Sequence, residues 1–353
     1  MFKRPLIAID IGSSAVKIVE LSGGSQKKLL SMGMELVPAG AIVDGNIANA
    51  EVVAELVRNL LKRLNISPRG RRVALSLGGS SVLMKRVLIG ASENTLEEQI
   101  YYDVQQHFQI DPSEIFYDYA LMTADNPEVK DTPVLLVGSK RDLVENYIGM
   151  LHTVGMKAGV IECDVFSVSN MFEYNYGVVE ALTAIVNVGA NVTQVALLFR
   201  GEYVYTRDIA VAGEEYTRKI MDALGCDRPN AELLKIGASL GSKDVPPEVA
   251  PILNEINEQL VSEVHLTVDY FIQSGDIQTG PLSSVFLTGG GARVLGLDAA
   301  LAAVLQVPVQ VINPFQRVDV NPKKFNMDTL MQQGHLYGVA VGLGLRAIGD
   351  KPA

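Results

Sequence analysis

The chain has 353 residues, 48% of them hydrophobic and 20% charged, and its 40 acidic against 30 basic side chains leave a net charge of −10. So much apolar content excludes a disordered chain, and the length gives roughly two domains, each able to bury a core. An acidic balance with scattered lysines and arginines speaks against a nucleic-acid binder, which needs a basic face to neutralise phosphates.

Cys163 and Cys226 stand far apart with no metal-ligand spacing, which fits a reducing compartment. His107, His152, His265 and His335 are dispersed and give no zinc pattern. The N-terminus runs into a strand-like segment without a signal-peptide cleavage pattern. The best apolar stretches, near 299–312 and 336–345, fall short of the roughly 18 residues of a membrane span. A cytoplasmic protein is expected.

In chain order, AIDIGSSAVKIVEL (8–21) reads as strand, glycine turn, strand, with a second polar arm at 28–37 and a helix over 50–64. From 83 to 157 the pattern is strand, helix, strand, strand, helix. The first of these helices has Thr95 as N-cap and Glu98 three positions on, and the second ends at Gly155. Tyr101, Tyr102, Phe108, Phe116, Tyr117 and Tyr119 gather in this region, either as a small core or as a peptide-docking face. IVNVGANVTQVALL (185–198) then repeats the opening pattern, followed by an arm at 203–211 and a helix over 213–224. Asp10 lines up with Asn187, Gly12 with Gly189 and Lys17 with Gln194. AELLKIGAS (231–239) puts Glu232 and Lys235 on one helix face, and 247–274 reads as a long packed helix. SVFLTGGGARVLGL (284–297) reads as a strand and three glycines feeding a helix that starts at Ala292 or Val294 and runs to Leu305. Residues 323–335 read as a loop entering a last helix near 335–347.

The two glycine hairpins suit a phosphate chain. Glycine permits a tight turn and close approach, and the exposed N–H groups of such a turn form an anion-binding concavity. Ser13 and Ser14 add hydroxyl donors, Lys17 a point charge, and Asp10 a carboxylate able to hold Mg²⁺ through water. The strand, Gly289, Gly290, Gly291 and following helix fit phosphate on helix amides, although neither a Walker A loop nor a GxGxxG fingerprint is present.

In this order the elements resemble the actin-like ATPase superfamily: 8–21 its phosphate-1 motif, 159–170 its first connecting segment, 185–198 its phosphate-2 motif, 284–297 its adenosine motif and 334–347 its second connecting segment. The resemblance implies an α/β fold of two RNase H-like halves around a nucleotide cleft holding ATP or ADP with Mg²⁺. It assigns phosphate contacts to Gly12, Ser13, Ser14, Lys17, Gly189, Ala190 and Asn191. Adenosine contacts fall to Gly213, Glu232, Lys235, Gly289, Gly290, Gly291 and Arg293. Mg²⁺ would be held through water by Asp10 and weakly by Asn187, where superfamily members usually carry aspartate. Loss of that charge implies weak or no ATPase activity.

Within the superfamily, IAIDIGSSAVKIVEL (7–21), VPAGAIVDGNI (37–47) and the place of the insertion are similar to the PilM family, relatives of FtsA. This implies a first half of 1–82, 158–182 and 335–353, an FtsA-like 1C insertion at 83–157, and a second half of 183–334 with an outer lobe at about 225–262. The implied role is a scaffold of type IV pilus assembly. It captures the N-terminal cytoplasmic peptide of a PilN-type inner-membrane protein and links pilus motor ATPases to the alignment complex. It would be cytoplasmic and peripheral at the inner membrane through that partner. No nucleic acid is implied, nor direct membrane insertion, since AIGDKPA carries no amphipathic tail of the FtsA kind. The alternatives are a small-molecule kinase using Glu162 or Asp164 as the carboxylate, and an FtsA-like division protein.

Overall fold

The computed structural model describes residues 5–90, 95–123, 131–275 and 277–350; the first four residues and the end of the AIGDKPA tail lie outside them. The chain divides into two compact units, one of Met1–Ile18, Gly33–Cys163 and Arg346–Ala353, the other of Val19–Met32 and Asp164–Leu345.

The chain opens with strands β1 (Ile7–Ile11), β2 (Ala15–Leu21) and β3 (Leu29–Leu36), of which the first unit takes β1, the start of β2 and the end of β3, followed by a small hairpin β4 (Ile42–Val43) and β5 (Asn46–Ile47) and helix α1 (Ala50–Arg63). Asn49 caps α1 by accepting from Val52 N at 3.2 Å. The chain continues through β6 (Arg72–Leu77), β7 (Leu83–Ile89), α2 (Leu96–Phe108), β8 (Ile115–Leu121), β9 (Thr132–Lys140), α3 (Arg141–Thr153) and β10 (Lys157–Cys163). The main sheet runs β10-β6-β1-β2-β3, with β6 parallel to both β1 and β10. Strands β7, β9 and β8 form a separate antiparallel sheet covered by α2, whose small core holds Val87, Ile100, Val104, Ile115, Val134 and Leu136. Thr95 and Glu98 make the reciprocal capping box at the start of α2. Helix α3, the last element of the insertion pattern, buries Val144, Tyr147, Met150 and Leu151 in the main core with Ile7, Ile9 and Val57. Its apolar stripe therefore tethers the small sheet to the large one.

The second unit holds α4 (Asp164–Tyr176), β11 (Thr183–Val188), β12 (Thr193–Phe199), β13 (Glu202–Ile209), α5 (Gly213–Leu224), α6 (Arg228–Ser239), α7 (Val249–Ser274), β14 (Ser284–Thr288), α8 (Leu297–Leu305), β15 (Val309–Val311), α9 (Met327–Gln333) and α10 (Gly338–Leu345). Its sheet runs β13-β12-β11-β14-β15, antiparallel through β13-β12-β11 and parallel through β11-β14-β15. The hairpin is again central, with a third arm on one side and parallel strands on the other. The duplication legible in the two glycine segments is thus a duplication of sheet topology. Alternation on β11 and β12 sends Ala184, Val186, Val188, Val195 and Leu197 to a core shared with Tyr216, Ile220, Leu253 and Leu260. The opposite face meets α4, where the Phe172 and Tyr176 rings lie 4.7 and 5.4 Å from Phe286.

Two elements differ from the sequence pattern. The helix after the triple glycine begins at Leu297 rather than Ala292 or Val294, because residues 289–296 are held as successive turns ending on Gly296 at φ 79°. Residues 327–333, read as loop, form α9, whose start is fixed by Asn326 accepting from Thr329 N at 3.0 Å. A polar seven-residue helix carries little periodic signal, and here the cap decides it.

Candidate functional site

In the first unit, Gly12 N donates to Ala15 O at 3.1 Å and closes the turn between β1 and β2. Lys17 folds back over it and donates to Asp10 Oδ2 at 2.9 Å, with side chains only 15% and 9% exposed. A Cβ on Gly12 would sit 3.3 Å from Ala15 O, 3.8 Å from Asp10 Oδ1 and 3.9 Å from Lys17 Nζ. Acid and base therefore converge on the one position without a side chain. Ser13 is half-buried and Ser14 exposed. Across the same sheet, Ser76 pairs in register with Glu162, and Glu162 accepts from Arg346 at 2.8 Å in a largely buried ion pair. That pairing engages one of the two carboxylates a kinase reading would use as base. Asp164, the other, is the first residue of α4.

In the second unit the turn between β11 and β12 is closed in the same way, Gly189 N donating to Val192 O at 3.0 Å. The start of α5 docks onto it: Gly213 N donates to Gly189 O at 3.0 Å and Glu214 N to Ala190 O at 2.8 Å. Cβ atoms at Gly189 and Gly213 would fall 2.6 and 3.0 Å from backbone oxygens, so the close approach requires glycine. The triple glycine closes on the other side. Gly291 N donates to Val188 O at 2.9 Å and Gly289 N to His335 O at 3.0 Å, while a Cβ on Gly289, at φ +87°, would lie 2.5 Å from Asn187 Oδ1.

Glu232 and Lys235 meet as their spacing predicts. Lys235 Nζ donates to Glu232 Oε1 at 2.8 Å, to Gly213 O at 2.9 Å and to Thr217 Oγ1 at 2.7 Å, and Thr217 in turn bonds Glu232. The pair thus anchors α6 on the first turn of α5. Asn191 is exposed, and Arg293 donates to Met331 O at 3.2 Å on the exposed side of the triple-glycine turns. Residues 187, 189, 190, 213, 232, 235 and 289–291 are thereby brought together within one unit, and residues 10, 12–14 and 17 within the other.

Three contributors carried no sequence signal of their own. Thr217 is one turn of helix past Gly213. His335 accepts through its carbonyl from both Gly289 N and Thr288 Oγ1. Asp208, on β13, accepts from Gln194 Nε2 at 3.2 Å. In each unit a side-chain oxygen stands beside the glycine turn, Asp10 in the first and Asn187 in the second, and oxygen donors of this kind are what a hydrated magnesium ion takes. Among the described residues no group of three or more His, Cys, Asp or Glu side chains forms a metal cluster, and no helix is long and apolar enough to cross a membrane.

Comparison with known proteins extends these observations. The chain is 23% identical to the cell division protein FtsA of Staphylococcus epidermidis over 359 aligned residues, covering 88% of this chain and 74% of that one. It is 24% identical to FtsA of Escherichia coli over 277 residues, 70% and 62% of the two chains. Among solved structures, a PilM–PilN type IV pilus biogenesis complex superposes with a TM-score of 0.85 at 21% identity, covering 98% and 100% of the chains. The ethanolamine utilization protein EutJ of Carboxydothermus hydrogenoformans gives 0.59 at 13%, covering 98% and 90%, and MreB 5 of Spiroplasma citri bound to AMPPNP gives 0.54 at 14%, covering 97% and 95%. The fold is that of the actin-like ATPases. The family described as type IV pilus assembly protein PilM matches residues 8–348. The chain belongs to the PilM family of type IV pilus assembly proteins.

Proposed function

We propose that this chain is a nucleotide-binding scaffold of type IV pilus assembly that captures the N-terminal cytoplasmic peptide of a PilN-type membrane protein. The observation that carries the reading is the family match over residues 8–348, joined to a fold shared with the PilM–PilN complex. ATP or ADP would be its ligand. In the first unit Gly12, Ser13, Ser14 and Lys17 would serve the phosphates. In the second, Gly189, Ala190 and Asn191 would do so, with Gly213, Glu232, Lys235, the triple glycine and Arg293 on the adenosine side. Magnesium supplies charge neutralisation along the phosphates when bound. Asp10 and Asn187 would hold its waters, and Asn187, lacking charge, keeps hydrolysis slow. Partner capture would place the protein at the inner membrane and in reach of the pilus motor ATPases.

For the peptide, the insertion offers anchors. Tyr102 is 60% exposed on α2, and Tyr117 is 37% exposed on β8, an edge strand whose outer backbone groups are unpaired by the sheet. Exposed aromatic side chains dominate recognition surfaces, and edge strands accept extended peptides. Titration of the purified chain with a synthetic N-terminal peptide of the neighbouring membrane protein tests the reading. Binding is expected, weakened about tenfold or more in Tyr102→Ala and Tyr117→Ala. No binding by the unaltered chain would refute the partner assignment. Unchanged affinity in both variants would move the groove elsewhere.

A further inference from the structure

The two glycine turns sit at the ends of matching polar rows on their sheets, and the rows carry different charges. In the first unit Lys17 and Asp10 neutralise one another at 2.9 Å. In the second unit the equivalent residues are Gln194 and Asn187, directly opposite each other in the β11–β12 register. Thr288 continues the row on β14 and Asp208 continues it on β13. Residues opposite one another on neighbouring strands share a face, so Thr288, Asn187, Gln194 and Asp208 form one line beside the second turn. Both charges of the first row are gone from its two central positions, and a single carboxylate has entered from the third strand.

That carboxylate is oriented. Gln194, 9% exposed, donates its Nε2 to Asp208 Oδ1 at 3.2 Å, so its carbonyl oxygen is not the atom that meets Asp208. Asn187 Oδ1 lies against Gly289, at 2.5 Å from where a Cβ would stand. Arg207, the adjacent basic residue, is engaged with Glu263 at 3.0 Å and leaves the Asp208 charge in place. Asp208 keeps an exposed outer side, yet protein atoms crowding its carboxyl raise its pKa, with the Gln194 bond opposing the rise. A hydrated divalent cation is drawn to oxygen acceptors backed by uncancelled negative charge, and within these two rows that describes the second one.

We infer that the negative charge holding the hydrated divalent cation of a bound nucleotide's phosphates in the second unit comes from Asp208, acting through Gln194, with Asn187 beside them adding only an uncharged oxygen acceptor. This rests on the nucleotide reading above. The test is calorimetric titration of the full chain with ADP, once in MgCl2 and once in EDTA. The unaltered chain should bind about tenfold more tightly with magnesium. Asp208→Asn should lose that enhancement while its affinity in EDTA stays unchanged, a split that a general structural defect would not produce. Gln194→Met, which keeps the carboxylate but removes its bridge, should lose part of the enhancement and provides a second route if Asp208→Asn folds poorly. Full magnesium enhancement in Asp208→Asn, or none in the unaltered chain, would overturn the cation site and leave nucleotide binding standing. Failure of the unaltered chain to bind ADP in either buffer would remove both readings.

Discussion

Burial strips water from the His335 imidazole and pushes its pKa down to about 4; the Arg293 guanidinium adds to the shift, and a hydrogen bond to Gln332 opposes it. The folded chain therefore keeps this ring neutral where an unfolded one, near 6.5, begins to take up protons. Between those values the unfolded state binds more protons, so stability is full above about pH 6.5 and is lost as pH falls toward 4. At most about 3 kcal/mol is at stake. Urea unfolding at pH 7.5, 5.5 and 4.5 should show this slope, and His335→Asn should flatten it. A lone histidine in a sequence gives no hint of such burial, because its partners, Gly289 and Thr288, lie nearly fifty residues away. Glu232 and Lys235 were legible because they sit one helical turn apart. Asp208 was not, because its neighbours Gln194 and Asn187 are set by the register of three strands, which no local spacing encodes.

At the level of elements, α10 lies on α4 so closely that a Cβ on Gly342 would coincide with the Ser167 carbonyl. Alanine in place of a helical glycine normally gains about 1 kcal/mol; here the backbone of α4 stands in its way. Gly342→Ala should lose several kcal/mol instead, in the range of overpacked cores, read as a fall in thermal midpoint or as insoluble protein. A milder loss, comparable with an exposed helix position, would show that the two helices can separate at little cost. Elements with strong period or caps were readable beforehand: the two hairpins, α1, α5, α7 and the Thr95–Glu98 box of α2. The start of α8 was not. Gly289 and Gly291 give their N–H groups to His335 and Val188, and these long-range bonds hold residues 289–296 out of the helix. That α3 belongs to the main core was also hidden, since its apolar stripe does not name the sheet it meets.

For the whole molecule, nucleotide that binds only the folded chain must raise its stability by mass action, about 2.7 kcal/mol at a hundredfold excess over Kd. ADP or ATP with Mg²⁺ at millimolar concentration should therefore raise the melting temperature of nucleotide-free protein by several degrees. No shift would count against a working site in either unit. The internal duplication and the family resemblance were both visible in the chain, since strand–glycine–strand patterns survive as local sequence.

The partition into units has a consequence for synthesis. The first unit is assembled from three separated stretches of chain, and its buried Glu162–Arg346 pair joins residues 184 positions apart. A ribosome delivers Arg346 only after the whole of Asp164–Leu345 has been made. The five strands of the main sheet are all made by Cys163, but Glu162 stays without its buried arginine until the last residues of the chain have emerged.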